Sequence, residues 1–222
     1  MHRPLTRFIL LPWILLAFGA APAAAQSPHT HQHSFGDAQK WAKIFDDPKR
    51  DAWQKPHEVI EALKPAPDAV IADIGAGTGY FAVRFARMVP QGKVYAVDTE
   101  SDMVKHVAER AKGEGLKNLT ALKAQPDAPQ LPERADLIIL VDVYHHIGER
   151  EAYFRKLQDA LRPGGRLAII DFTMDAPQGP PKRARVPAER VKGELQRAGY
   201  RLTEEHGFLP SQYFLVFEQA KS

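Results

Sequence analysis

The chain has 222 residues, which is enough for one domain with a sizeable core and short appendages. Hydrophobic residues make up 44% and charged residues 26% of it, as in ordinary soluble globular proteins, and the formal net charge is +3. The sequence contains no cysteine, which excludes disulfide bonds and cysteine-based chemistry.

Residues 1–25 have the pattern of a secretory signal. Arg3 and Arg7 precede an apolar run at 8–20, and small residues follow it up to Ala25. We expect cleavage after Ala25 and a periplasmic or secreted protein. The alternative is an uncleaved membrane anchor, although the run is shorter than the ~20 residues that a bilayer span requires and Pro12 interrupts it.

Cleavage changes the charge of the protein. It removes Arg3 and Arg7, which leaves 28 basic against 27 acidic residues. The basic sequence pI therefore does not indicate a nucleic-acid partner. Without cysteine there is no lipid attachment site of the lipoprotein type, so we expect no stable membrane anchor after cleavage.

Residues 26–36 are polar and form a histidine-rich leader that we expect to be flexible. His29, His31 and His33 alternate with other residues. They form either a weak site for zinc, copper or nickel or a solvated leader without a role. No carboxylate or cysteine completes a coordination sphere nearby, so we predict no metal site.

Residues 37–67 have helical spacing in two pieces, broken at Asp47-Pro48. From residue 68 to 222, apolar strands alternate with amphipathic helices, as in a doubly wound α/β domain. The predicted strands are 70–74, 93–98, 119–123, 135–141 and 166–172, with a final hairpin near 200–205 and 213–218. Predicted helices follow the strands, among them 101–112, 149–161 and 188–198, and a proline-rich loop covers 176–187.

A glycine turn follows the first predicted strand. Asp73 ends this strand, and Gly75, Gly77 and Gly79 alternate with other residues before a helix. Glycines let the backbone approach a ligand where a Cβ would collide. The spacing is G-x-G-x-G, whereas a nicotinamide dehydrogenase needs G-x-G-x-x-G and usually a further substrate domain.

Four further elements occur in a fixed order after this turn: Asp98 at the end of the second strand, Asp127-Ala-Pro-Gln-Leu-Pro132, Asp142-Val-Tyr-His-His-Ile147 and Leu161-Arg-Pro-Gly-Gly165. Together with the glycine turn, they resemble the motifs of class I S-adenosylmethionine (SAM)-dependent methyltransferases, from about residue 68 to 218. The resemblance implies a Rossmann-like, mostly parallel seven-stranded sheet with an antiparallel C-terminal strand. It also implies that residues 37–67 form a helical N-terminal cap over the pocket, although Trp41 and Trp53 could instead only pack against the domain.

The resemblance also implies a role for each motif. SAM is the expected cofactor, and the turn with Asp73, Gly75, Gly77 and Gly79 cradles it. Asp98 accepts hydrogen bonds from both ribose hydroxyls, a geometry that two carboxylate oxygens suit. Asp127 or the backbone beside it reaches the adenine amino group. Asp142 lies where the sheet edge faces the methionine moiety and the methyl group.

His145 and His146 are the candidate catalytic residues. Ligands of open α/β sheets bind beyond the carboxyl ends of the strands, and either imidazole could remove a proton from an acceptor near neutral pH. Alternatively, one ring caps the loop or stacks on the cofactor and neither titrates. Asp171 at the end of the fifth strand either contacts substrate or caps a turn.

The proline-rich loop carries three cationic side chains, Lys182, Arg183 and Arg185. They either meet an anionic substrate or belong to a solvated loop. The leading functional hypothesis is methyl transfer from SAM to a small molecule or an envelope component, and the resemblance extends loosely to quinone-ring C-methyltransferases. The alternative is an exported, non-catalytic ligand- or metal-binding protein on a methyltransferase scaffold. The acceptor and the oligomeric state stay open.

Overall fold

The computed structural model describes residues 37–125 and 130–220. The predicted signal segment, the histidine-rich leader and Asp127 lie outside the described residues. The helices are α1 (Ala38–Phe45), α2 (Asp51–Gln54), α3 (Pro56–Leu63), α4 (Tyr80–Met88), α5 (Ser101–Gly113), α6 (Arg150–Leu157) and α7 (Ala188–Arg197). The strands are β1 (Val70–Ile74), β2 (Lys93–Asp98), β3 (Leu119–Lys123), β4 (Ala135–Val141), β5 (Leu161–Phe172), β6 (Tyr200–His206) and β7 (Gln212–Gln219).

The strands form one sheet in the order β3-β2-β1-β4-β5-β7-β6. Strands β1 to β5 are parallel, and β7 runs antiparallel to both β5 and β6. This confirms the predicted fold, including the C-terminal hairpin. The strand order reverses between β1 and β4, and such a switch point opens a crevice at the carboxyl ends of the strands.

The sheet is covered by helices on both faces, which explains the continuous apolar runs of its central strands. Alternate residues of β4 pack into different cores: Leu137 and Ile139 join α3 and α4 on one face, and Ile138 and Leu140 join α6 and α7 on the other. Both cores fix the register of β4, because a slip by one residue would exchange its two faces.

The predicted helix at 149–161 was too long. Helix α6 ends at Leu157, a 3₁₀ turn covers Gln158–Ala160, and β5 begins at Leu161 instead of residue 166. The register against β4 jumps from the pair Ala135–Leu161 to the pair Leu137–Arg166, so the Arg-Pro-Gly-Gly segment lies within an irregular strand. A Cβ on Gly165 would come within 3.0 Å of the Ala135 carbonyl oxygen, and this close backbone approach requires glycine there.

The N-terminal segment is helical and breaks at Asp47-Pro48, as predicted. A 3₁₀ turn, Pro48–Arg50, links α1 to α2, and the Asp47 carboxylate accepts a hydrogen bond from the Lys49 N–H at 2.9 Å. A second break at Lys55, which has a φ of 45°, separates α2 from α3. Among the described residues, no helix has the length and apolar character needed to cross a membrane.

Candidate active site

A cavity of about 510 Å³ lies at the carboxyl ends of β1, β2 and β4. The glycine turn and the ends of these strands form one side of it, and the N-terminal helical segment and the loop after β5 form the other. Its volume falls in the range of small-molecule and cofactor sites. All the predicted site residues within the described ranges line this cavity except Gly79, whose N–H bonds the Ala76 carbonyl at 2.9 Å where α4 begins.

The glycine turn is held against the end of β2. The Gly75 N–H donates to the Val97 carbonyl at 2.8 Å, and the Gly77 N–H donates to Asp98 Oδ2, also at 2.8 Å. Gly75 has a φ of +72°, and a Cβ there would lie 2.3 Å from Val143 Cγ2. The turn therefore brings its backbone closer to the β4 loop than any side chain allows.

Asp98 keeps accepting capacity for a ligand. Its Oδ1 accepts a hydrogen bond from the Glu100 N–H at 2.9 Å, so each carboxylate oxygen is held by one backbone donor. Each oxygen retains a further lone pair, and the side chain lines the cavity. Burial raises the pKa of Asp98, while the Glu100 and Gly77 N–H groups lower it.

Two more carboxyl groups lie deeper in the cavity. Asp73 at the end of β1 is 3% exposed, and burial raises its pKa to about 7. Asp142 follows β4 with a φ of 60°, and burial raises its pKa against the opposing effect of Arg50. Such environments favour a cationic ligand, because its charge replaces the water that the carboxylates have lost.

A polar ring connects Asp142 with the N-terminal segment. Arg50 donates to Gln54 Oε1 at 3.1 Å, Gln54 donates to Gln212 at 2.5 Å, and Gln212 donates to Asp142. Arg50 Nη2 lies 3.7 Å from the Asp142 carboxylate and closes the ring. The cap segment is thereby fixed to the ends of both β4 and β7. Gln54 and Gln212 are 158 positions apart in the sequence, and Gln212 and Asp142 are 70 positions apart. No local pattern connects them, so the sequence did not predict this polar ring.

The cap also contributes an aromatic wall. Trp53 lines the cavity, and its ring centroid lies 5.7 Å from that of Phe172 at the end of β5. Trp41 instead stacks on Phe45 at 5.2 Å, and Phe45 lines the cavity. Of the two tryptophans left open by the sequence, Trp53 therefore faces the site directly and Trp41 acts through Phe45.

His145 forms a dyad with Asp171. The 3₁₀ turn Tyr144–His146 follows β4 and places His145 beside the end of β5. Asp171 accepts from the His145 backbone N–H at 3.1 Å and contacts its ring Nδ1 at 2.9 Å. The two side chains are 5% and 2% exposed. An ionised Asp171 requires a proton on Nδ1, which leaves Nε2 as the acceptor nitrogen of this cavity-lining ring.

His146 lies beside this dyad. Its ring centroid is 4.0 Å from that of His145, and it also lines the cavity. Its backbone N–H donates to the Val143 carbonyl at 2.9 Å, whereas the backbone N–H and ring Nδ1 of His145 face Asp171. The geometry therefore distinguishes the two histidines that the sequence treats alike.

A second carboxylate, that of Glu194, contacts the 3₁₀ turn Tyr144–His146 through Tyr144. Glu194 of α7 accepts hydrogen bonds from the Tyr144 hydroxyl and from Arg150 Nε, both at 2.6 Å. Burial raises the pKa of Glu194, but the hydrogen bonds from Arg150, Tyr144 and Arg190 outweigh it and lower this pKa to about 2. The predicted helix at 188–198 places Arg190 and Glu194 at i,i+4 spacing, but nothing in the sequence indicates that Glu194 contacts Tyr144 and Arg150, which are 50 and 44 positions away.

Arg185 is engaged by its own loop. Its guanidinium donates to backbone carbonyl oxygens of its own loop, including those of Ala176 at 2.8 Å and Gln178 at 2.9 Å. Lys182 pairs with Asp175 at 3.2 Å, and Arg183 is exposed. Of the three cations of this loop, Arg185 is therefore held by backbone carbonyls, and Lys182 and Arg183 lie at the exposed surface.

Comparison with known protein families shows the family of this chain. Residues 66–203, more than half of the chain, match the family described as a methyltransferase domain. The chain belongs to the class I SAM-dependent methyltransferase family. The mostly parallel seven-stranded sheet and the glycine turn described above are those of this family.

Relatives of this methyltransferase chain include the ubiquinone/menaquinone biosynthesis C-methyltransferase UbiE of Edwardsiella ictaluri. The two are 32% identical over 106 residues, which cover 46% of this chain and 42% of the relative. The match therefore spans less than half the length of that curated relative. A SAM-dependent methyltransferase from Aquifex aeolicus has a similar crystal structure, with 27% identity and a TM-score of 0.74 over 82% of this chain and 97% of that chain.

The fold alone does not identify methyl transfer. The crystal structure of the [4+2]-cyclase SpnF is also similar, with a TM-score of 0.66 and 16% identity. The match covers 77% of this chain and 82% of SpnF. At that identity the likeness concerns the fold only. The activity must therefore be argued from the residues of the site.

SAM is the cofactor that the family implies, and the residues present fit it. Gly77 lines the cavity, and a Cβ added there would project to within 3.5 Å of the Phe45 ring, across space that a ligand needs. Asp98 has free lone pairs for ribose hydroxyls, and the buried carboxyl of Asp73 suits a ligand that carries a sulfonium and an ammonium group. The site thus offers hydrogen-bond acceptors for the ribose hydroxyls of SAM and a buried carboxyl group for its positively charged end.

Proposed function

We propose that this protein transfers a methyl group from SAM to a small-molecule acceptor, with His145 as the general base. One observation carries the proposal: the His145–Asp171 dyad opens into the same cavity as the glycine turn and Asp98. Cofactor-binding and proton-accepting groups therefore share one site. Nothing in the described residues favours a non-catalytic binding protein on this scaffold.

When bound, SAM supplies an electrophilic methyl group on its sulfonium. The residues of the chain position the reactants, and positioning can contribute on the order of 7–11 kcal/mol to catalysis. The glycine turn and Asp98 hold the cofactor end, and Asp73 and Asp142 lie near its positive charges. His145 Nε2 accepts the proton of the acceptor, while Asp171 holds the ring and stabilises the imidazolium that forms.

We infer that the acceptor is a small aromatic molecule with an acidic hydroxyl. Trp53 and Phe172 supply flat apolar surfaces beside His145. Among the described residues, Arg50 is the one Lys or Arg side chain that lines the cavity. It is already engaged by Gln54, by the Phe45 carbonyl and by Asp142, which disfavours an anionic acceptor. The names of the UbiE relatives, which concern quinone biosynthesis, agree with this class.

We propose that the enzyme acts outside the cytoplasm. The signal pattern at residues 1–25 supports this, with residues 26–36 as leader, 37–67 as cap and 68–222 as the methyltransferase domain. Cell fractionation followed by mass measurement of the mature chain tests the proposal. A chain that begins at Gln26 in the periplasm or medium is expected, and an uncleaved cytoplasmic chain would contradict it.

The catalytic proposal is tested on the mature protein in two steps. Calorimetry measures SAM binding, and absence of binding at millimolar SAM would refute the enzyme. Methyl transfer from labelled SAM to a panel of phenols and hydroquinones then measures activity. The His145→Gln variant should lose turnover by about 10²–10⁴-fold and keep its SAM affinity. Full activity in His145→Gln, or equal loss in His146→Gln, would contradict the assignment of the base to His145.

A further inference from the structure

The loop between β5 and α7 is organised around one side chain. Arg185 donates to the carbonyl oxygens of Pro180, Thr173, Ala176 and Gln178 at 2.8–3.0 Å. A further contact to the Met174 carbonyl is 3.4 Å long. The guanidinium therefore closes residues 173–185 into a compact loop, with every one of its nitrogens directed at backbone.

Prolines explain why the loop needs this centre. Pro177, Pro180 and Pro181 have no N–H to donate, so the segment has fewer backbone donors than carbonyl acceptors. Its own backbone N–H groups reach the carbonyls of Thr173, Pro181 and Lys182, and Arg185 supplies the donors for Ala176, Gln178 and Pro180. Arginine is suited to replace those donors because its planar fork carries five N–H groups in fixed directions. A lysine ammonium has three donors at a single point and cannot reach the same carbonyls together.

The loop forms a wall of the cavity. Gln178, Gly179 and Pro180 line it, and Gly179 lies flat on the ring of Phe172. Gly179 has a φ of +94°, and a Cβ there would come within 2.7 Å of that ring. Phe172 in turn contacts Trp53. The loop therefore packs through Gly179 on the aromatic wall, which consists of Phe172 and Trp53.

We propose that Arg185 is a positioning residue that sets the shape of the acceptor subsite by holding the loop against the aromatic wall. This inference rests on the proposed function for the nature of the acceptor. It concerns the half of the cavity near His145 only. The glycine turn and Asp98, which hold the cofactor end, belong to β1 and β2 and make no contact with Arg185 among the hydrogen bonds of the described residues.

The test compares Arg185→Met and Arg185→Lys with the control Arg183→Met, which removes an exposed cation from the same loop. The mature chain in a Trp41→Phe background retains Trp53 as the tryptophan after residue 25. Quenching of Trp53 emission by 4-nitrophenol, in protein saturated with S-adenosylhomocysteine, measures the acceptor subsite. Calorimetry measures SAM affinity, and hydrogen–deuterium exchange reports the loop.

Both Arg185 variants should bind 4-nitrophenol about tenfold to hundredfold more weakly, because a loop without its central donors must be ordered when the ligand binds. SAM affinity should stay within about twofold, and exchange at residues 173–185 should rise. With a phenol that is turned over, the KM should increase more than kcat falls. The Arg183→Met variant should match the parent in all four measurements.

Several results would overturn the inference. Unchanged 4-nitrophenol affinity in Arg185→Met would refute it. Full affinity in Arg185→Lys would also refute it, because the positive charge and not the planar guanidinium group would then be responsible. If the Arg185 variants lost as much affinity for SAM as for 4-nitrophenol, Arg185 would have a general structural role and the inference would be wrong. If the parent protein does not bind 4-nitrophenol, the proposed acceptor class is wrong, and the exchange measurement then decides alone: unchanged loop protection in Arg185→Met overturns the role of Arg185.

Discussion

Replacing Asp171 with asparagine tests the dyad without changing its shape. The Asp171 carboxylate accepts four contacts: Oδ1 from the Phe172 N–H at 2.8 Å and from His145 Nδ1 at 3.0 Å, and Oδ2 from the His145 N–H at 3.1 Å and from Nδ1 at 2.9 Å. An asparagine must place its NH₂ group at one of these two positions. At either position, the NH₂ faces a backbone N–H, so two donors meet.

The magnitude follows from this mismatch. One backbone donor in a buried site loses its partner, which should lower the free energy of unfolding by about 1–3 kcal/mol. The NH₂ group can also donate to Nδ1, which moves the ring proton to Nε2 and removes the base. Loss of general base catalysis lowers turnover by about 10²–10⁴-fold, equivalent to about 3–5 kcal/mol.

Single-turnover methyl transfer from labelled SAM measures this loss, with SAM affinity and urea unfolding measured on the same samples. SAM affinity should stay within about twofold, because Asp171 contacts the histidine turn and not the glycine turn. Asp175→Asn, which alters an exposed carboxylate four residues further on, is the control and should behave as the parent protein. Turnover within threefold of the parent in Asp171→Asn would refute the role of the dyad.

Three further predictions concern the cofactor end and the support of the site. Because burial raises the pKa of Asp73 from 3.8 to about 7, the folded state binds its proton more strongly; the free energy of unfolding should fall as pH rises from about 4 to 7, by up to about 4 kcal/mol. Urea unfolding across this window should show a shallower slope in Asp73→Asn, and an unchanged slope would contradict the assignment. Gly77→Val should abolish SAM binding by calorimetry in a folded protein, whereas Gly113→Val, where a Cβ meets nothing within 4 Å, should bind normally; normal binding by both would remove Gly77 from the site. Glu194→Ala leaves Arg150 and Tyr144 without their buried acceptor and should destabilise the protein by about 3–5 kcal/mol, and a loss below about 1 kcal/mol would show that the network contributes little.

The boundaries of β1 to β4 were predictable because local sequence determines them. The central strands β1, β2 and β4 are short apolar runs followed by a polar or turn residue, because they are buried on both faces. The edge strand β3 is partly exposed, and turn residues on both sides mark its short run. The start of β5 was not predictable in this way. Leu161 pairs with Ala135, and the irregular register depends on this partner strand and on the ion pair of Arg162 with Asp136 at 2.8 Å, so no local pattern contains it.

The cofactor side of the site was likewise more predictable than the catalytic side. Gly75, Gly77 and Asp98 follow two adjacent parallel strands, so their positions at the strand ends bring them together at one edge of the sheet. The catalytic side is assembled from distant segments. His145 contacts Asp171, which lies 26 positions further along the chain. The polar ring around Asp142 includes Gln212 from β7.

The sequence by itself determined the fold class, the family and the turn that suits SAM, because these depend on hydrophobic periodicity and on glycines whose backbone conformation is a local property. The tertiary structure decided that His145 pairs with Asp171, that Trp53 faces the cavity and that Arg185 donates to its own loop. These depend on side chains brought together from separate elements, and their partners are set by packing in space and not by spacing along the chain.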